Sequence, residues 1–324
     1  MVVDNGASKQ NFRSLRPGDF AKLFGTNVRD ISPDCLRLIR VGDFRYTRLG
    51  REKRDAVIQS VLKRILFGEL TVAGDASART RWEKGWTENL RNLARSHFSP
   101  SALTPKYIRQ SQPLRLFQDY VIPVNPRFEL NWYKVFTRWL FKKYLSGVDT
   151  IYEFGCGSGI NVAALARMFP EKKIVGLDWA RSSEKIVNEL ARSHGWNVEG
   201  RVFDFFQPDF NLRMDENSAL LTIGALEQTG NRYGSFLKYI LNNVPAVCVN
   251  IEPICEWYDE NNLVDYMAMM FHKRRGYWEG FPAKLKELEG KGKVQVMKTK
   301  RSYFGSTFIE GYSQIIWKPT RRVS

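Results

Sequence analysis

Histidine and cysteine are the scarce residues of this 324-residue chain, with three and four copies. Cys35, Cys156, Cys248 and Cys255 form no C-x-x-C pair and have no histidine at zinc-binding spacing. Neither a metal nor a disulfide framework is therefore expected, and the four are read as free thiols of a reducing cytoplasm. No uninterrupted apolar run approaches the roughly 20 residues that a membrane span needs. The opening MVVDNGASKQ is polar, unlike a secretory leader, and residues 1 to about 20 are expected to form a mobile lead-in. Acidic charge is short in one half only. Residues 1–150 carry 27 Lys and Arg against 14 Asp and Glu, whereas residues 151–324 carry 23 against 20, so most of the net charge of +16 belongs to the N-terminal half. Such a surplus suits phosphates of nucleic acid, nucleotide-sugars or lipid head groups without choosing among them.

What the chain does have is 43% hydrophobic residues, enough for a sizeable core, and a length that suggests two regions. Residues 1–126 read as basic and mainly helical. Segments 19–24 and 35–39 are short and apolar, and 45–54 is a basic connector. Residues 55–67 space their apolar side chains as an amphipathic helix stopped by Gly68. Residues 79–94 are expected to form another helix, with Trp82 and Trp86 four apart on one face, read as core packing or a domain contact rather than as a base-stacking platform. Residues 103–126 are expected to be an irregular connection lying across the second region, with Tyr107, Arg109, Arg115 and Tyr120 as candidate binding residues. An aromatic helix at 129–145 follows, its Trp132, Tyr133, Phe136, Trp139 and Phe141 assigned to the core.

Residues 150–180, TIYEFGCGSGINVAALARMFPEKKIVGLDWA, read as a strand at 150–154, a turn containing Gly155, Gly157 and Gly159, a helix at 161–168, and a second strand at 174–177 ending at Asp178. Glycine is needed at such a turn to reach positive φ and to let backbone approach a ligand more closely than a Cβ permits. A dinucleotide fingerprint would place its third glycine at position 160, where Ile160 stands, and no P-loop lysine follows. The run is instead E-x-G-x-G-x-G, with Glu153 two residues before the first glycine and Asp178 nineteen after the last.

This pattern resembles the cofactor motif of the class I S-adenosylmethionine-dependent methyltransferases, over about residues 148–254. The resemblance implies an α/β, Rossmann-like sheet of seven strands, the last antiparallel, in a domain spanning 127–324 behind the helical N-terminal region. It also implies S-adenosylmethionine as cofactor: Glu153 near the methionine moiety, Gly155, Gly157 and Gly159 packed against it, Asp178 accepting both ribose hydroxyls, and the pair Asp204-Phe205 holding the adenine. A carboxylate can accept two hydroxyls through its two oxygens, and its charge suits a sulfonium better than a pyrophosphate. Further strands at 198–203, 219–223 and 246–251 should bring Asp178, Asp204, Glu227 and Glu252 to one crevice at their carboxyl ends.

Neither D-P-P-Y nor N-P-P-F follows the fourth strand, the pattern with which relatives hold an exocyclic base nitrogen, and there is no Pro-Cys nucleophile for cytosine. Methyl transfer to an oxygen acceptor is therefore expected. IEPICEWYDENNLVDYM and FHKRRGYWEGF resemble bacterial methyltransferases associated with sugars and surface polysaccharides, which implies a small-molecule or glycan acceptor. RNA methylation through the basic half is the second reading, although no recurrent nucleic-acid module is present, and a non-catalytic cofactor-binding scaffold is the third. A hydroxyl must lose its proton as it attacks, so a base is expected beyond the fourth and fifth strands. Glu227 and His272 are the first candidates, with Glu252, before Pro253, behind them as a substrate ligand.

Overall fold

The computed structural model describes residues 12–320, so the polar lead-in lies outside the described residues as far as residue 11. Beyond that point the chain is already structured. Arg13–Ser14 (β1) is a short strand and Pro17–Phe24 (α1) a helix. Pro17 starts the helix, the Asp19 carboxylate accepts the Arg16 N–H at 2.8 Å, and Gly25, at φ 64°, ends it. The helix exists because Phe20, Ala21, Leu23 and Phe24 all turn into the core.

The N-terminal region continues with Pro33–Val41 (α2), Arg45–Arg48 (β2), Arg51–Phe67 (α3), Ala76–Arg95 (α4), Leu114–Leu116 (β3), Asp119–Pro123 (β4) and the aromatic helix Phe128–Tyr144 (α5). The expected basic connector is thus a strand and the first turn of α3, and the expected irregular connection contains a hairpin. In the second region come Thr150–Phe154 (β5), Ile160–Met168 (α6), Lys173–Asp178 (β6), Arg181–His194 (α7), Val198–Val202 (β7), Ser218–Ile223 (β8), Gly234–Asn243 (α8), Val247–Glu252 (β9), Leu263–Arg275 (α9), Phe281–Gly290 (α10), Val294–Lys300 (β10), Phe304–Gly305 (β11) and Ser313–Pro319 (β12).

Seven strands form one sheet in the order β10-β12-β9-β8-β5-β6-β7, parallel from β9 to β7, with β12 antiparallel to both its neighbours. This is the seven-stranded Rossmann-like arrangement implied by the motif. Every residue of β5, β8 and β9 is buried, which is why TIYEF, SALLTI and VCVNIE run apolar rather than alternating. A second sheet, β1-β2-β4-β3-β11, draws four strands from the N-terminal region and its last from between β10 and β12. Reading residues 1–126 as mainly helical misses this sheet, because strands of two to five residues are too short to display alternation.

Helix α5 joins the two regions. Phe24 of α1 stacks on its Trp139 with centroids 4.8 Å apart, and Phe304 of β11 stacks on its Trp132 at 4.2 Å. These rings belong to one hydrophobic cluster that continues to Ile151 and Ile186. Arg115 of β3, a candidate binding residue, is instead wholly buried in an ionic network, and Tyr120 is buried where α3 meets α9. Arg109 stays exposed. Among the described residues no helix is long and apolar enough to cross a membrane.

Candidate active site

The order of strands reverses between β5 and β8, and a pocket with about 700 Å³ of space opens there at their carboxyl ends. That place is usual for a ligand site in an open α/β sheet. One wall is the glycine turn. Gly155, Gly157 and Gly159 all have positive φ (77°, 50° and 74°), and the Gly155 and Cys156 N–H groups bond to the Leu177 carbonyl, fastening the turn to β6. A Cβ on Gly157 would lie 2.7 Å from the Trp86 ring and one on Gly155 would collide with the Ala225 side chain, so both positions require the absence of a side chain. Gly159 faces Ile186 of α7 instead and is not part of the wall.

Glu153, at the penultimate position of β5, is 1% exposed. Its Oε1 accepts from Asn161 Nδ2 at 2.7 Å, and the Asn161 carbonyl accepts from the Tyr133 hydroxyl at 2.6 Å, which fixes the amide's orientation. Its Oε2 has no partner among the described residues. Burial, helped by the Asp178 charge, pushes the Glu153 carboxyl up to about 8. Asp178, at the end of β6, accepts from Gly157 N through Oδ2 and from Ala180 N through Oδ1, each at 2.9 Å, and each oxygen keeps a further lone pair. Burial raises it to about 6 against the pull of those amides.

Phe205 lines the pocket but Asp204 stands outside the lining. The Asp204 Oδ1 accepts the Phe206 N–H at 2.8 Å and its Oδ2 lies 3.5 Å from Arg79, so the expected adenine-holding pair is divided by the turn in which both sit. The opposite side comes from the N-terminal region. Trp82 and Trp86 of α4 stack at 5.3 Å and 17° and line the pocket together with Tyr107. Trp86 against the glycine turn is a contact between the two regions, one of the two readings of the pair, and lining the pocket is a further role. Trp179, Phe206 and Gln228 also line it, and sequence reasoning passed over them, although Trp179 adjoins Asp178.

None of the three candidate catalytic residues forms the lining. Glu252, fully buried, accepts from the N–H groups of Ala225 at 3.0 Å, Leu226 at 3.1 Å and Glu227 at 3.4 Å, and so shapes the turn whose Ala225, Gln228 and Thr229 do line it. Burial and the adjacent Glu227 push its carboxyl well up. Glu227, 4% exposed, accepts from Gln228 Nε2 at 2.8 Å through Oε1, while its Oε2 has no partner among the described residues. Tyr107, which lines the pocket, is half exposed, and burial together with the charges of Glu153, Glu227, Glu129 and Glu252 pushes its phenol well up. His272 is not brought to the pocket. It is wholly buried, its Nε2 lies 2.7 Å from the Trp278 carbonyl, and burial lowers its basicity, because α9 turns this face inward beneath the loop that leads to α10.

Aromatic walls, the Glu153 oxygen without a donor and the Asp178 carboxylate with lone pairs to spare suit a ligand with a flat apolar part, a positive charge and hydroxyl groups. No family model matches the chain, and no curated protein matches it. Among solved structures it is similar to the 16S rRNA methyltransferase RmtF in complex with S-adenosyl-L-homocysteine, at 14% identity and a TM-score of 0.39 over 94% of this chain and 97% of that one. It is also similar to a SAM dependent methyltransferase from Aquifex aeolicus, at 17% identity and a TM-score of 0.39 over 56% of this chain and 88% of that one. A third is an O-methyltransferase family 2 protein from Planctomyces limnophilus DSM 3776 in complex with apigenin, at 12% identity and a TM-score of 0.41 over 60% of this chain and 59% of that one. At such identities and TM-scores none of the three speaks for the activity of this chain, which rests on its own residues.

Proposed function

We propose that the chain is an S-adenosylmethionine-dependent methyltransferase acting on a hydroxyl of a small-molecule or glycan acceptor. The observation that carries this reading is the Glu153 carboxyl, buried at the end of β5 beside the glycine turn and Asp178, with one oxygen fixed by Asn161 and the other unpartnered. A buried carboxyl left in that state is costly, and the ammonium of a bound amino-acid moiety relieves it. Asp178 retains a lone pair on each oxygen for vicinal ribose hydroxyls, and Phe205 with Trp82 and Trp86 offers flat apolar surface for a base.

When bound, the cofactor would supply an electrophilic methyl group. The residues of the chain orient the acceptor and move its proton. Gln228 lines the pocket, and its Oε1 is a buried acceptor with no partner among the described residues, which favours a hydroxyl-bearing acceptor on that side. Glu227, bonded to the pocket-lining Gln228, is assigned as the base, and Glu252 positions it by holding its backbone N–H. The second reading, RNA as acceptor, draws on the exposed Arg37, Arg40, Arg48, Arg51 and Lys53 of α2, β2 and α3.

The test is transfer of labelled methyl from S-adenosylmethionine to glycan, small-molecule and RNA fractions, alongside calorimetry of cofactor binding. Label in the glycan or small-molecule fraction supports the proposal. Label in RNA, with affinity falling steeply in salt at a slope of roughly 0.7 per neutralised phosphate, selects the second reading. Binding without transfer to any fraction leaves a scaffold, and absence of binding overturns the assignment altogether.

A further inference from the structure

Behind the turn that carries Glu227 lies a cluster for which methyl transfer has no use. Cys255 follows β9, His272 lies in the last turn of α9, and Glu279 lies in the loop before α10. They bring Sγ, a ring nitrogen and a carboxylate oxygen within 4.8 Å of one another. Cys255 is 5% exposed and His272 0%. The Trp278 carbonyl 2.7 Å from His272 Nε2 can only accept, so Nε2 carries the hydrogen and Nδ1 the lone pair. That Nδ1 is buried and has no partner among the described residues. A histidine whose one ring nitrogen donates to a backbone carbonyl while the other stays bare has the tautomer and ring orientation of a metal ligand already set.

The donor set selects the ion. Thiolate and imidazole favour zinc over magnesium or calcium, which take oxygen ligands. One thiolate and one carboxylate also cancel the charge of a divalent ion, as a buried site requires. We propose that Cys255 Sγ, His272 Nδ1 and a Glu279 carboxylate oxygen bind one zinc(II) ion, with water in the fourth position. Binding releases the Cys255 thiol proton to solvent. Tetrahedral ligands at about 2.0–2.3 Å stand roughly 3.3–3.8 Å apart, so the side chains draw in by about 1 Å at their widest separation.

The surroundings give the ion a structural role. Trp278 Nε1 donates to the Pro253 carbonyl at 2.9 Å, and the Trp278 N–H donates to the Glu227 carbonyl at 3.0 Å. An ion between Cys255 and His272 would lock the end of β9, helix α9 and this loop together directly behind Glu227 and Glu252. It would touch neither cofactor nor acceptor.

The full-length protein, stripped with a chelator, is titrated with zinc(II) against a chromophoric competitor and separately with cobalt(II). One equivalent of each is expected, the cobalt form showing tetrahedral bands and a thiolate charge-transfer band that Cys255→Ser removes. Glu279→Gln, the ligand nearest solvent, should lower zinc affinity by about tenfold to a hundredfold while keeping the thiolate band, and it decides the matter if the buried substitution prevents folding. No stoichiometric zinc in the wild type, no thiolate band, or wild-type affinity in Glu279→Gln overturns the proposal and leaves Nδ1 to a bound water. These readouts do not depend on cofactor binding or turnover.

Discussion

The protein buries two sets of carboxyl groups and treats them in opposite ways. Asp265 and Glu310 are 0% and 1% exposed and face two arginines, with Arg115 2.6 Å from Asp265 and Arg301 2.6 Å from Asp265 and 2.7 Å from Glu310. Burial alone would raise the Asp265 carboxyl, but bonds from the Asp259 N–H, Arg301 and Gln118 bring it below its ordinary value. Glu153, Glu227 and Glu252 are as deeply buried and form no ion pair among the described residues. Glu153 and Glu252 are pushed up, and Glu153 and Glu227 each keep an oxygen with no partner. The first set is neutralised within the fold and ties β3 to α9 and to the loop at 301–310. The second has no cation to offset its burial: Glu252 is held by backbone N–H groups, and Glu153 is the member that lines the pocket, where an unneutralised carboxyl is the state expected of a group that meets a ligand.

Breaking the paired set should have the largest effect. Arg115→Met leaves Asp265 and Glu310 with one arginine between them, and a loss of about 3–5 kcal/mol in denaturant-induced unfolding is expected. A loss below about 1 kcal/mol would erase the distinction between the two sets. In the unpaired set the effect falls on function. Glu227→Gln should lower turnover by about a hundredfold or more while calorimetry shows unchanged cofactor affinity and unfolding shows no loss of stability. Full turnover in this variant would mean that transfer proceeds by proximity alone. Asp178→Ala should weaken S-adenosylmethionine binding by about 1.5–3 kcal/mol through loss of charge-assisted bonds, and wild-type affinity would falsify its ribose-binding role.

The smallest effect is a difference of sign with pH. Glu153 holds its proton up to about 8 in the folded chain against an ordinary 4.5, so the native state binds a proton that the unfolded state has released between those values. Stability from this group is therefore present below about pH 4.5 and lost as pH rises through about 8, and Asp178 and Glu129, raised to about 6 and about 7, act in the same direction. Asp265, held low, acts oppositely: its contribution is present above its ordinary value of 3.8 and lost as the solution becomes more acid. Ligand-free melting between pH 5 and 9 should show the alkaline decline, and Glu153→Gln should flatten it. Identical slopes for wild type and variant would show that Glu153 is ionised throughout. Binding of the cofactor near pH 7 should also release a proton, visible as a dependence of the binding heat on buffer ionisation enthalpy.

What could be read from the residues alone is local. The runs TIYEF, SALLTI and VCVNIE, the GCGSG turn and Asp178 after the next strand are patterns contained within short stretches, and the buried parallel strands and positive-φ glycines follow from them. The turn needs glycine because of its own backbone and its nearest contacts, and strands covered on both faces must be apolar along their whole length. The tertiary structure decided what each polar side chain is for. Arg115 reads as a binding residue on an irregular segment until α9, about 150 residues further on, surrounds it with carboxylates. Trp82 and Trp86 read as a packing pair or a domain contact, and only the fold that lays α4 against the Gly157 turn also makes them pocket walls; His272 reads as a base until α9 points it away from the pocket toward Cys255. Spacing along the chain reports on neighbours within a turn or a strand, whereas burial, charge compensation and access to a pocket depend on groups that only folding brings together.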